Sequence, residues 1–205
     1  MAILTVNAGS SSLKFSIYPT KQGSVLPSIL SGSFEGLEPG GKTELRYAYQ
    51  GVEHAEHFED VGQDPFIAAL MHLKELLLEI KGLPPIRAVS HRIVHGGSEF
   101  FRPIASTDAI LEKLSAMSAL APLHQPHSLD GVKAFSQVFP GIPQVLCFDT
   151  AFHKTMSHLE TSLALPKEIT DQGVRRYGFH GISYQYIIGE LNENSNRAKD
   201  KVLMA

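Results

Sequence analysis

Short segments that alternate apolar and polar residues fill the N-terminal quarter of the chain. Residues 3–6 and 13–18 are rich in β-favouring side chains and are separated by a few small residues, which predicts a β-hairpin. Residues 25–34 and 44–50 show strand-like patterning, and the glycine-rich stretch 36–41 predicts a turn between them. We therefore expect the chain to begin with antiparallel strands.

The apolar spacing changes after residue 64. From there apolar side chains recur at helical spacing, at Phe66, Ile67, Leu70, Leu73, Leu77 and Ile80. Asp64 suits an N-cap, Pro65 suits the first helical position, and Gly82 follows the end of the pattern. These signals predict a helix that begins at Pro65.

Strand-like and helical segments alternate through the middle of the chain. Residues 87–94 and 144–148 predict strands, and residues 107–120 and 128–139 predict helices. Because helices between strands are typical of crossover connections, the order of elements indicates a mixed α/β sheet.

The pattern changes again beyond the last of these strands. A stretch rich in histidine and glycine, 150–181, contains a short helical candidate at 166–170, and a helix is predicted for 183–191. A polar turn at 192–200 leads into residues 201–205, which read as the start of a strand. We therefore expect a fragment that ends near the beginning of a second domain.

Composition is that of an ordinary globular protein. Of the 205 residues, 43% are hydrophobic and 19% are charged, and no apolar run approaches the roughly 20 residues that cross a bilayer. A formal net charge of −3 without a basic tract disfavours a nucleic-acid partner. The N-terminus lacks a signal-peptide layout, and the single Cys147 lies in an apolar run, so we expect a cytoplasmic protein with an inert thiol.

The first turn, from Asn7 to Lys14, consists largely of small and hydroxyl-bearing residues. Glycine lets backbone N–H groups crowd around an anion, Ser10 and Ser12 add hydroxyl donors, and Lys14 adds a positive charge. A strand follows the turn, so it is neither a P-loop nor a Rossmann fingerprint. From composition alone it is either a phosphate-binding turn or a polar hairpin turn.

A second glycine-rich segment, 36–43, matches the P-loop pattern G-x-x-x-x-G-K-[ST]. A true P-loop opens a helix, whereas residues 44–49 alternate with a period of two and predict a strand. We interpret this segment as a hairpin turn and not as an ATP site.

Two charged residues stand next to apolar side chains of the predicted strands. Arg92 lies inside the strand at 87–94, where an unpaired guanidinium would be costly. It is either half of a structural ion pair or the group that binds a carboxylate or phosphate. Asp149 follows the strand at 144–148, and it is either a turn or capping residue or a magnesium ligand at the carboxyl edge of the sheet.

Two of the ten histidines, His124 and His180, stand in loops among small or rigid residues. Loops of this kind often position functional side chains, although helix capping and turn roles stay open for both. The other histidines lack the cysteine partners or the HExxH helix typical of zinc sites.

Five segments, in this order and at this spacing, closely resemble the acetate kinase family. They are 7–16 (NAGSSSLKFS), 91–97 (HRIVHGG), 121–124 (APLH), 148–153 (FDTAFH) and 176–181 (RYGFHG). The resemblance implies an actin-like ATPase fold of the ribonuclease H-like type, with a mixed five-stranded sheet and helices on both faces. Residues 1–149 would form most of a first domain that lacks its closing helix, and residues 150–205 would begin a second, similar domain.

The resemblance also implies roles on the nucleotide side of the site. Asn7 and Asp149 resemble residues of the magnesium site, which would hold Mg²⁺ or Mn²⁺. Ser10, Ser12 and Lys14 would face the phosphates of ATP.

On the acid side, Arg92 would bind the carboxylate of acetate or of acetyl phosphate. The methyl group would lie in a small pocket that resembles the family's, formed by Val94, Leu123 and Phe179.

His124 and His180 resemble groups that contact the transferred phosphoryl group. The chain departs from the family pattern at Gln125, where Asn is common. It departs again at Ile182 and Tyr184, where Thr and His are common.

The implied activity is the magnesium-dependent, reversible, direct in-line transfer of the γ-phosphoryl group of ATP to acetate, in a cytoplasmic homodimer without a membrane or nucleic-acid partner. A propionate or butyrate kinase and a noncatalytic nucleotide-binding relative stay open as alternatives. The 205 residues alone are expected to be inactive, because half of the nucleotide cleft would be missing.

Overall fold

The structure, a computed structural model, describes residues 1–38, 40–58 and 64–194. Its strands are β1 (Ala2–Ala8), β2 (Ser12–Lys21), β3 (Ser24–Val25), β4 (Leu30–Glu35), β5 (Thr43–Tyr49), β6 (Val52–Phe58), β7 (Ile86–Ile93), β8 (Ile104–Ala105) and β9 (Gln144–Phe148). Its α-helices are α1 (Pro65–Glu79), α2 (Asp108–Ala116), α3 (Gln125–Val138), α4 (His158–Thr161), α5 (Lys167–Thr170) and α6 (Gly181–Asn194). Two 3₁₀ turns, Ser118–Leu120 and Asp149–Thr155, follow α2 and β9.

The strands form one mixed sheet in the order β6-β5-β4-β2-β1-β7-β9-β8, with β3 paired to β2. The strands from β1 to β6 pair antiparallel, whereas β7 runs parallel to β1 and β9 runs parallel to β7. The prediction of a mixed α/β sheet is confirmed.

The number of strands differs from the five that the resemblance implied. In the described residues the sheet has nine strands, partly because residues 25–34 divide into β3 and β4. β6 was missed because six of its seven side chains are exposed, so it carries no apolar alternation. β8 is only two residues long, too short to show a period.

Helices α1, α2 and α3 pack against the sheet through two clusters of buried side chains. Leu4 of β1, Leu70 of α1 and Phe135 of α3 belong to the larger cluster. Leu114 of α2 and Leu146 of β9 belong to the smaller one. Each fully buried side chain of this size contributes about 1.5–3 kcal/mol, so these contacts hold the helices on the sheet.

The start of α1 follows the capping signals of the sequence, whereas α2 and α3 differ from their predicted bounds. The predicted start of α1 is confirmed, and the Asp64 carboxylate accepts the Ile67 N–H at 3.1 Å. α2 is shorter than residues 107–120 and gives way to a 3₁₀ turn. α3 begins at Gln125, before the predicted residue 128, because Pro126 lies in the first turn, where a missing N–H breaks no helical bond.

Short helical segments and the longer α6 occupy part of the region after β9. α5 confirms the short helix at 166–170, and α6 continues to Asn194, so residues 192–194 are not the predicted turn. The rest of that turn and the predicted strand at 201–205 lie outside the described residues. The division into two domains after residue 149 stays a prediction. Among the helices of the described part, none combines the length and apolarity needed to cross a membrane.

Candidate active site

The carboxyl ends of three parallel strands, β1, β7 and β9, meet at one edge of the sheet. Asn7, Arg92 and Asp149 lie at or just past these ends. Asn7 and Arg92 alternate with the buried neighbours Val6 and His91, so they point to the face opposite α1 and α3. This edge is where open α/β sheets bind ligands.

Arg92 connects the three residues through hydrogen bonds. Its Nε and Nη2 donate to Asp149 Oδ2 at 2.9 and 2.6 Å, and its Nη1 donates to Asn7 Oδ1 at 3.3 Å. The Asp149 side chain is 2% exposed, whereas 35% of the Arg92 side chain is exposed. A structural ion pair is therefore present, and its guanidinium still presents a surface to an anion.

An open cavity of about 960 Å³ lies over the face opposite α1 and α3. Asn7, Lys14 and Arg92 line it together, and Lys14 lies directly opposite Asn7 in the ladder of β1 and β2. Ile182 in the first turn of α6 borders the same cavity, so a helix also reaches this second face. Arg46, which is paired with Glu44, and Glu53 also line the cavity; Lys14 and Arg92 are the cations beside Asn7, and they favour an anionic ligand there.

The turn between β1 and β2 is short. The Gly9 N–H donates to the Ser12 carbonyl at 2.8 Å and closes it. Ser10 is exposed and Ser12 is half-buried. Within the described chain neither of these two hydroxyls bonds to another group, so both can meet a ligand, and their role at phosphates stays a prediction.

The oxygens of Asn7 and Asp149 are of the donor type that Mg²⁺ prefers. Arg92 donates to both side chains, so they already share one cation. The described residues contain no group of three or more His, Cys, Asp or Glu side chains that could enclose a metal. Because Mg²⁺ usually keeps several waters and uses few protein ligands together with substrate phosphates, the two oxygens fit it without such a cage.

A buried histidine, His95, follows Arg92 on the chain, and the sequence pattern does not indicate its role. His95 is 1% exposed, and its backbone N–H and carbonyl both bond to the side chain of Gln125, at 3.2 and 2.9 Å. The Gly97 N–H donates to His95 Nδ1 at 2.8 Å, and burial lowers the pKa of His95. Gln125 lies 30 positions further along the chain, so no local pattern of the sequence indicates these bonds.

His95 and His153 hold the segment that contains Phe179. The ring centroid of His95 lies 4.5 Å from that of Tyr177 and 5.7 Å from that of Phe179. His153 Nε2 donates to the Phe179 carbonyl at 2.9 Å. His180 follows in the left-handed region, with φ of 56°, a conformation that costs about 1–2 kcal/mol and persists where surrounding contacts fix it.

Gly181 brings this segment against Asp149. A Cβ at Gly181 would collide with the Asp149 carbonyl oxygen, so the close approach requires glycine. His180 is thereby placed next to the backbone of Asp149, and its side chain is exposed. Its proposed contact with a phosphoryl group stays a prediction.

Three of the predicted residues are not enclosed by the described part of the chain. Val94 is half-buried and Leu123 is 76% exposed. His124 is the N-cap residue of α3, but its exposed side chain makes no capping bond. With Phe179 also 37% exposed, the methyl pocket stays a prediction.

The segment that matches the P-loop pattern is a turn between strands. It leads into β5, and the Thr43 hydroxyl donates to the Gly36 carbonyl at 3.2 Å. Gly36 has a φ of 72°, which suits a tight turn. The interpretation as a hairpin turn is confirmed.

Comparison with known proteins points to one family. A profile described as the acetokinase family matches residues 2–204. The acetate kinase of Rhizobium meliloti is 39% identical over 207 residues, which cover 100% of this chain and 52% of that protein. The acetate kinase of Rhodopseudomonas palustris (strain ATCC BAA-98 / CGA009) is 38% identical over 207 residues, which cover 96% of this chain and 49% of that protein.

Two solved structures share the fold. A propionate kinase from Francisella tularensis subsp. tularensis SCHU S4 superimposes with a TM-score of 0.82 at 34% identity, covering 94% of this chain and 48% of that one. The Porphyromonas gingivalis acetate kinase gives a TM-score of 0.78 at 34% identity, with the same coverage of 94% and 48%. The chain therefore has the actin-like ATPase fold of these kinases and spans about half the length of the relatives it matches.

Proposed function

This chain belongs to the acetokinase family, and we propose on that basis that its protein transfers the γ-phosphoryl group of ATP to acetate. The products are acetyl phosphate and ADP, and the reaction is reversible, direct and in line. The observation that supports this proposal most is the hydrogen-bonded group of Asn7, Arg92 and Asp149 at the carboxyl edge of the sheet. The same membership supports a cytoplasmic homodimer.

Acetate needs no general base in this reaction. Small carboxylic acids have a pKa of about 4–5, so acetate is already an anion near pH 7. The barrier is the approach of this anion to a second anion, the γ-phosphate. Arg92, with about a third of its side chain exposed, binds the carboxylate and offsets the repulsion, while Asp149 fixes the guanidinium by accepting two of its N–H groups.

Asn7 Oδ1 and the Asp149 carboxylate would hold Mg²⁺ or Mn²⁺, which when bound neutralises charge on the phosphates. Asp149 is thus an organiser of charge and not a base. Lys14, Ser10 and Ser12 contact the phosphates of ATP from the first turn, where Lys14 shares the cavity with Arg92.

The segment after Tyr177 completes the site from the other side. His180 and His124 contact the transferred phosphoryl group, and the methyl group of the acid lies among Val94, Leu123 and Phe179. The packing of His95 on Phe179 supports a fixed wall at this position.

Propionate is a second candidate substrate, since a propionate kinase shares this fold. A hydrophobic pocket distinguishes one methylene by about 1–3 kcal/mol, so we expect both acids to react with different efficiencies. The ratio of kcat/KM for acetate and propionate identifies the preferred acid.

An acetyl phosphate assay tests the proposal. ATP-dependent formation of acetyl phosphate, trapped as the hydroxamate, is measured for the complete product of the gene that encodes this chain and for the 205 residues alone. We expect turnover in the complete product and none in the 205 residues, because the relatives that act as acetate kinases are about twice as long.

Variants of Arg92 make the assay specific. Arg92→Ala should lower turnover of the complete product by at least about 10²–10³-fold, and Arg92→Lys should recover only part, because an ammonium lacks the bidentate geometry. Arg87→Ala is the matched control, since Arg87 is an exposed arginine on the same strand. Wild-type kinetics in Arg92→Ala would contradict the proposal that Arg92 binds the acid.

A further inference from the structure

Strand β6 forms a free edge of the sheet. In the part of the chain that the structure describes it pairs only with β5, and six of its seven side chains are exposed. An edge strand presents unpaired N–H and C=O groups to any other strand that fits them. Natural edges are often blunted by charged side chains, proline or a bulge; β6 carries Glu53 and Glu56, but it has no proline and keeps an uninterrupted register with β5.

The hairpin turn determines which backbone groups of β6 are free. Gln50 and Gly51 have φ of 50° and 82°, the signature of a two-residue type I′ turn, so Tyr49 and Val52 form the closing hydrogen-bonded pair. Alternate residues of β6 then bond to β5. The residues between them direct N–H and C=O to the free edge, and these are Glu53, Ala55 and His57.

The side chains of β6 are complementary to those of a second, reversed copy. In an antiparallel pair centred on Ala55, Glu53 lies opposite His57 of the second copy. His54 likewise lies opposite Glu56, and the two apolar ends of the strand meet each other. Opposite residues in such a pair have Cβ atoms about 4.5–5.5 Å apart, which brings Glu and His within reach of each other, while His57 Nε2 also lies 3.8 Å from Glu44 Oε1 of its own copy.

A pair centred on Ala55 also satisfies the free backbone groups of both strands, whereas the adjacent registers are unfavourable. Glu53, Ala55 and His57 all face outward, so each finds an outward-facing residue opposite it and forms a hydrogen-bonded pair. The adjacent registers that also match the backbone are centred on His54 or on Glu56. The first places His54 opposite His54 of the second copy, and the second places Glu56 opposite Glu56. Like titratable side chains directly opposite each other are unfavourable.

We propose that this chain self-associates through β6, with two copies pairing antiparallel about Ala55 to form one continuous sheet. The interface has a single strand from each copy, so the dimer is weak and depends on concentration. β6 lies far along the sheet order from β9, which leads into Asp149, but Glu53, His54 and Ala55 line the same open cavity as Arg92.

A charge swap tests the proposal by sedimentation velocity of this chain over a wide concentration range. Glu53→Lys places Lys opposite His57 and should raise the dimer dissociation constant at least about tenfold. The double variant Glu53→Lys/His57→Glu recreates complementary pairs and should restore association. Glu112→Lys, an equal charge change at an exposed position of α2, should leave the dissociation constant unchanged, and circular dichroism checks that each variant is folded.

Cross-linking tests the register in a Cys147→Ser background. Ala55→Cys should form a disulfide with itself, because paired Cα atoms at about 5.5 Å suit a disulfide. Glu53→Cys should not cross-link with itself but should do so when mixed with His57→Cys. A chain that stays monomeric at every concentration would overturn the proposal, as would a dimer insensitive to Glu53→Lys or self-cross-linking of Glu53→Cys.

Discussion

Two neighbouring residues of β7 show how differently the two faces of this sheet are used. His91 points to the helix-covered face, where it is 2% exposed, lies 5.2 Å from the Phe135 ring and bonds through Nε2 to Gln144 Oε1 at 2.6 Å. Arg92 points to the open face, is about a third exposed and is held by Asp149. The first residue serves packing, and the second is the one that we propose binds the reacting acid.

The two faces differ in the ionisable groups that they accommodate. Burial lowers the pKa of His91 to about 4, although the bond to Gln144 acts in the opposite direction, so the helix-covered face keeps this group neutral. On the open face the Asp149 carboxylate accepts two hydrogen bonds from the Arg92 guanidinium, so each group satisfies the other. A single strand therefore presents a partly exposed cation on one face while its alternate residues anchor it in the core on the other face.

The largest loss of activity is expected from replacing Asp149 on the open face. Asp149→Ala removes the acceptor of two Arg92 N–H groups and a proposed metal ligand, so kcat of the complete protein should fall by at least about 10³-fold. Asp130→Ala, at an exposed position of α3, is the control and should keep kcat within about twofold. The hydroxamate assay measures both, and an Asp149→Ala variant as active as the control would contradict this account.

The pH dependence of stability should report the helix-covered face. The unfolded chain binds a proton at His91 near the ordinary pKa of 6.5, and the folded chain binds it only near 4. The free energy of unfolding should therefore fall as the pH drops from 6.5 to about 4, with about 3 kcal/mol of the loss due to His91. Urea titrations at several pH values should show a smaller loss of the free energy of unfolding in His91→Gln than in the wild type. Equal losses in the two proteins would refute the role of His91.

Gln125 connects the helix-covered side to the segment that holds Phe179. Gln125→Ala leaves the buried N–H and carbonyl of His95 without partners, which should lower the free energy of unfolding by about 1–3 kcal/mol. The KM for the acid should also rise, because His95 packs on Phe179. Gln137→Ala, at an exposed position of α3, is the control and is measured by denaturation and by steady-state kinetics. If the two variants behave identically, Gln125 does not support the Phe179 segment through His95.

The smallest effect is expected at the P-loop-like turn. Lys42→Ala should leave the KM for ATP within about twofold, because Lys42 precedes a strand and not a helix. Lys14→Ala should raise that KM, because Lys14 shares the cavity with Arg92. Steady-state kinetics with varied ATP separates the two, and a larger effect at Lys42 would reverse the interpretation of these turns.

The sequence predicts those features whose signals are local. α1 could be predicted because its cap, proline and apolar spacing lie within one stretch, and β6 could not, because its side chains face solvent and show no apolar period. The ion pair of Arg92 and Asp149 joins residues 57 positions apart, so the sequence indicated each residue but only the sheet topology brings them together. The bonds between Gln125 and His95 span 30 positions and left no local pattern.

The most direct test of the central claim, that Arg92 binds the reacting acid, is chemical rescue of Arg92→Ala in the complete protein. We predict that added guanidinium restores part of kcat/KM for acetate in this variant, because the small cation can occupy the space beside Asp149 and Asn7. The same addition should not restore Asp149→Ala. An Arg92→Ala enzyme with the wild-type kcat/KM for acetate, and no response to guanidinium, would contradict the account.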